Sequence, residues 1–88
     1  MSDTRAAIRD RLAALDPLSI EIIDDSALHA GHAGARSGGG HYRLTIVSAR
    51  FAGLGTVARH RLIYETLGDL MKREIHALAI DARTPDQV

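Results

Sequence analysis

Apolar residues near the start of the chain recur at Ile8, Leu12 and Leu15, with Arg5, Arg9, Asp10 and Arg11 mostly off that stripe. The spacing i, i+4, i+7 is the period of one helix face. Ser2 or Asp3 stands where an N-cap is wanted. Asp16-Pro17 ends the helix, because the residue before a proline is pushed out of the helical region. The period then falls to two. In residues 19–24 (SIEIID), Ile20 and Ile22 point one way and Glu21 and Ile23 the other. In residues 41–48 (HYRLTIVS), Tyr42, Leu44 and Ile46 share one face, and His41, Arg43, Thr45 and Val47 the other. Both segments read as strands, and an antiparallel pair is expected. Residues 50–55 form a turn in which Phe51 plugs the core. Thr56 is placed to cap the longest helix, predicted over 57–74, with Ile63, Leu67, Leu70 and Met71 as its buried stripe and His60 beside it. A third strand is predicted over 75–82 (IHALAIDA), where Ile75, Ala77 and Ala79 alternate with His76, Leu78 and Ile80. Thr84-Pro85 breaks that pattern and leaves residues 84–88 as a loose tail.

The resulting order is α-β-β-α-β. With helices on one face of a three-stranded sheet, this is a two-layer α+β fold. A single domain over residues 1–88 is expected, without internal repeat or linker. One segment departs from compactness: residues 25–40 hold five glycines (Gly31, Gly34, Gly38, Gly39 and Gly40) together with Ser37 and small alanines. This composition predicts a long flexible loop, and a loop of that length in a small domain is either functional or disordered.

Composition narrows the chemistry. The chain has no cysteine, which removes a disulfide scaffold, a thiol nucleophile and a self-contained zinc-thiolate or cluster site. Tyr42, Phe51 and Tyr64 are the whole aromatic complement, too few for a base-stacking surface. Eleven basic and eleven acidic residues cancel, so no strong basic footprint marks the chain for nucleic acid. No apolar run approaches the roughly 20 residues that span a bilayer, and a cytoplasmic protein with no membrane partner is expected. No phosphate cradle, dinucleotide fingerprint or framed nucleophile is present, so an enzyme is not expected.

Histidine is the residue type left with chemistry to offer. By alternation His76 sits on the face of Leu78 and Ile80. Read alone, it is either a half-buried histidine bonded to a backbone carbonyl or a metal ligand, which requires a neutral ring. His29 and His32, in His-Ala-Gly-His within the glycine-rich loop, are either solvated loop residues or a mobile arm that delivers one imidazole. A pair of histidines falls short of the three or four ligands of natural zinc sites. His41 is read as structural, and His60 as a residue bordering the helix stripe. Arg59, Arg61, Lys72 and Arg73 form the candidate basic surface for a partner.

A series of motifs in order carries a resemblance. Asp24-Asp25-Ser26 is followed by Tyr42 before Leu-Thr-Ile-Val-Ser, Phe51-Ala52-Gly53, Arg59-His60-Arg61-Leu62-Ile63-Tyr64, Ile75-His76-Ala77-Leu78 and Thr84-Pro85. From about residue 22 to 85 this resembles the BolA family, with aspartate in place of the usual glutamate at Asp25 and tyrosine where many members have phenylalanine at Tyr42. The resemblance implies a fold like the class II K-homology domain. It also implies a partnership with a monothiol glutaredoxin of the CGFS type, in which a 2Fe–2S cluster bridges the two chains. The glutaredoxin then supplies its cysteine and a bound glutathione thiol. This chain would supply the histidine matching His76 and one from the loop, where His29 aligns best and His32 is the alternative. No cluster is expected in the isolated chain, which is expected as a monomer or weak homodimer. The family has also been tied to transcription and cell shape under stress, so a DNA-binding regulator is the other expectation. Against it, the Gly-x-x-Gly clamp of K-homology domains is absent, since Gly53-Leu54-Gly55-Thr56 lacks the second glycine at the needed spacing.

Overall fold

The structure, a computed structural model, describes residues 4–25 and 40–88. Helix α1 spans Thr4–Leu12 and tightens into a 3-10 turn over Ala13–Leu15. Its predicted stripe is its buried face: Ile8, Leu12 and Leu15 all lie in the core. Asp16, ahead of Pro17, takes the left-handed conformation (φ 51°) and turns the chain into the sheet.

Strands β1 (Ser19–Asp24) and β2 (Gly40–Val47) pair antiparallel, from Ser19 opposite Val47 to Asp24 opposite Tyr42. Strand β3 (Ile75–Arg83) lies parallel to β2, and the sheet order is β1-β2-β3. A parallel neighbour needs a long crossover, which the intervening helices supply. The expected two-layer α+β architecture is therefore the observed one, and it is compatible with the class II K-homology arrangement. Tyr42, Leu44 and Ile46 of β2 face the helices and are buried, as their alternation predicts.

Between β2 and the crossover lies a 3-10 turn, Ala49–Phe51. Ser48 organises it. Its buried hydroxyl donates to the Leu15 carbonyl at 2.6 Å and accepts from the Arg50 N–H at 3.1 Å. That turn drives Phe51 into the core, where it is 0% exposed beside Ile8, Leu12, Ile46, Ile63 and Leu67.

The helix predicted over 57–74 is two helices. Helix α2 spans Thr56–Leu67 and α3 spans Leu70–Arg73. Gly68 separates them at φ 58°, ψ −129°, a region open in practice to glycine alone. The apolar stripe nevertheless continues across the break, since Leu67 and Leu70 are both buried. Gly55, not Thr56, occupies the N-cap position of α2. Two long-range bonds tie α1 to the end of α2 and to the end of α3. Arg11 donates to the Leu67 carbonyl at 3.0 Å, and Thr4 donates to the Glu74 carboxylate at 3.2 Å.

The tail expected to be loose beyond Thr84 is a capped 3-10 turn over Pro85–Gln87. The Thr84 N–H donates to the Gln87 side-chain oxygen at 2.9 Å, and the Thr84 hydroxyl donates to Asp86. That hydroxyl bond first, then Asp86's own N–H and the more distant Arg59 charge, hold the Asp86 carboxyl below the usual aspartate value. Because the folded value is the lower one, this contribution is complete above the unfolded value and disappears as pH falls through the folded one. An NMR titration of Thr84→Val is expected to move the Asp86 midpoint up toward the ordinary value. An unmoved midpoint would show that the hydroxyl is not its cause.

Candidate metal centre

Helix α3 ends in Lys72 and Arg73 and delivers the chain directly into β3. The junction is irregular. Gly40 pairs with Ile75, yet His41 pairs with Ala77, so His76 is an extra residue, a bulge in the parallel ladder. Just before the bulge, the Gly40 N–H donates to the Glu74 carbonyl at 3.1 Å, the regular bond of a parallel pair. Glycine is needed at 40 for space: the Tyr42 ring folds over its backbone, and a Cβ there would come 2.6 Å from the ring.

The bulge decides where His76 goes. Regular alternation puts it on the helix-covered face with Leu78 and Ile80. Those two do pack against the core, but His76 is exposed. Its ring lies beside that of half-buried His41, with centroids 5.1 Å apart and planes inclined at 47°. His41, read from sequence as structural, is thus the neighbour of the foremost candidate ligand. The signal that could have found it is its position at the β2 start, beside the start of a parallel β3.

An open trough beside His41 is lined by Asp25, His41, Arg43, Ala77 and Ala79. The small alanine side chains keep it shallow. The Arg43 guanidinium pairs with the Asp25 carboxylate at 2.6 Å, and the Asp25 N–H donates to the His41 carbonyl at 2.8 Å. Asp25, the last described residue before Gly40, is therefore tied to β2 next to His41. His29 and His32 lie outside the described residues. Among the described residues, no three histidine, cysteine, aspartate or glutamate side chains converge as a metal site.

The four basic candidates separate. Arg61, Lys72 and Arg73 are exposed. Arg59 is turned inward, donating to the Leu54 carbonyl at 2.8 Å, the Ala82 carbonyl at 3.0 Å and the Gln87 side chain at 2.7 Å. It clamps the turn before α2, the β3 edge and the C-terminal turn together, and its charge serves the fold. His60 is half-buried on α2.

The family model described as BolA-like protein matches residues 12–87. The chain belongs to the BolA-like family. Among its relatives, SufE-like protein 1, chloroplastic/mitochondrial, of Arabidopsis thaliana is 47% identical over 87 residues, covering 92% of this chain and 24% of the relative. The DNA-binding transcriptional regulator BolA of Vibrio cholerae is 44% identical over 71 residues, covering 81% of this chain and 64% of the relative. The chain thus spans less than two thirds of either relative. Among solved structures, the BolA domain of SufE1 from Arabidopsis thaliana superposes with a TM-score of 0.84 at 43% identity, covering 100% of this chain and 99% of that one. For this BolA-like chain no helix among the described residues is long and apolar enough to cross a membrane.

Proposed function

We propose that this BolA-like chain is a non-enzymatic adaptor that pairs with a monothiol CGFS glutaredoxin and glutathione. Its contribution is histidine ligation of a shared 2Fe–2S cluster, in iron–sulfur cluster trafficking or in iron and redox regulation. The observation that carries the reading is the exposed His76, turned out of the sheet by the bulge between two rigid elements. A solvent-facing imidazole on a fixed strand suits a ligand whose remaining donors arrive on another protein. The donor set fits as well. With no cysteine in the chain, imidazole is the donor it can offer in place of thiolate on a 2Fe–2S cluster, as in Rieske centres. His76 and one of His29 or His32 would hold the cluster, which supplies reversible one-electron chemistry at a potential raised by imidazole ligation. Exposed Lys72 and Arg73, which precede His76 in the chain, and exposed Arg61 of α2 would receive an acidic partner surface.

The test mixes the chain with cluster-loaded CGFS glutaredoxin and glutathione and records visible absorption and circular dichroism. The spectrum is expected to change, with the change lost in His76→Ala and in one of His29→Ala or His32→Ala. An unchanged spectrum, or one indifferent to all three substitutions, would sink the ligand assignment.

A second reading, a nucleic-acid-binding regulator, draws on the printed name of the Vibrio relative. It has less physical support: formal charge is balanced, and Arg59 is committed to internal carbonyls. DNA binding whose affinity falls steeply with salt would favour this reading.

A further inference from the structure

The geometry of the bulge points to a metal site that needs no partner. Two imidazoles bound to one tetrahedral ion, each nitrogen about 2.0–2.1 Å from it, have ring centroids about 5 Å apart. His41 and His76 stand at 5.1 Å with inclined planes. They approach this spacing from adjacent hydrogen-bonded strands, so little ordering remains to be done when an ion arrives. His76 is exposed and His41 half-buried, so both reach solvent, and water or a small ligand can take the remaining positions. Each ring needs to offer one nitrogen, and the other is left to hold a second-shell hydrogen bond, as metal-bound histidines ordinarily do.

We propose that His41 and His76 chelate one divalent transition-metal ion of the imidazole-preferring class, Zn²⁺, Ni²⁺ or Cu²⁺, in the chain by itself. Imidazole suits these ions, and Cu²⁺ stands highest in the affinity order, which makes it the most sensitive probe. Asp25, the nearest carboxylate lining the trough, is engaged by Arg43, so the protein offers two ligands and the site stays open. The proposal shares His76 with the adaptor reading but does not rest on it, because it concerns the chain without glutaredoxin. An ion held there takes His76 away from any cluster, so loading with Zn²⁺ blocks the spectral change described above in proportion to occupancy.

The experiment uses the full chain without an affinity tag. Cu²⁺ and, separately, Zn²⁺ are titrated by calorimetry, and the Cu²⁺ form is examined by electron paramagnetic resonance. One ion per chain is expected, with nitrogen hyperfine structure from two imidazoles. His41→Ala and His76→Ala are each expected to weaken binding at least ten-fold, and His60→Ala to leave it unchanged. Far-ultraviolet circular dichroism of each variant, with His41→Gln as a milder replacement, separates loss of a ligand from loss of the fold. The absence of saturable binding overturns the proposal. So does binding that survives both His41→Ala and His41→Gln in folded protein, or that depends on His29 or His32 in place of His41. Failure of the glutaredoxin experiment with this binding intact would remove the adaptor reading alone.

Discussion

Phe51→Ala is expected to cost about 3–5 kcal/mol, the range for truncating a fully buried aromatic. Against a typical small-domain stability of about 5–15 kcal/mol, that leaves a protein partly unfolded near physiological temperature. Phe51 is the one phenylalanine in the chain and is fully buried. It is held by a turn, not by a long element, and Ser48 fixes that turn by bonding both Leu15 and Arg50. The surrounding Ile8, Leu12, Ile63 and Leu67 come from both long helices and cannot move in to fill the space without moving those helices. Urea denaturation followed by far-ultraviolet circular dichroism measures the loss. Phe51→Leu, which keeps most of the volume, should lose much less. A drop below about 1 kcal/mol for the alanine variant would contradict the burial, since even surface changes reach about 0.5 kcal/mol.

The elements were legible because each signal is local. The i, i+4, i+7 stripe of α1 and the alternation in β1 and β2 depend only on near neighbours, and Ile8, Leu12, Tyr42, Leu44 and Ile46 are buried where those periods put them. What escaped depends on relations between distant segments or on one extra residue. Alternation assumes an unbroken ladder, so it placed His76 with Leu78, whereas the bulge turns it out beside His41. The division into α2 and α3 was hidden because Ile63, Leu67, Leu70 and Met71 keep a helical spacing across Gly68. Arg59 read as a surface charge, since the carbonyls of Leu54 and Ala82 that it bonds meet only in the folded chain. The C-terminal turn had a visible sign: Thr84 and Gln87 have the spacing of a capping box. Proline at the following position drew the reading toward a chain break instead.

Two of those features, the break at Gly68 and the bulge at His76, lie on one stretch. From Gly68 to His76 the chain leaves α2, makes α3 and enters β3 through a bulge, and each step sets the next. Gly68→Ala tests whether the first step governs the rest. A Cβ at φ 58°, ψ −129° is strained whatever the space around it, at a cost of about 1–3 kcal/mol. It would also stand 3.3 Å from the Arg11 guanidinium, crowding the donor to the Leu67 carbonyl. The chain can relieve the strain by continuing α2 through position 68, but that redirects the segment now forming α3 and displaces Glu74, whose carbonyl receives the Gly40 N–H. A melting-point drop is therefore expected together with a change in the His41 and His76 ring signals by NMR, although neither ring touches Gly68. A variant with native stability would show that the backbone at 68 carries no strain. A destabilised variant with unmoved imidazole signals would show instead that β2 and β3 hold the bulge without help from the helix break.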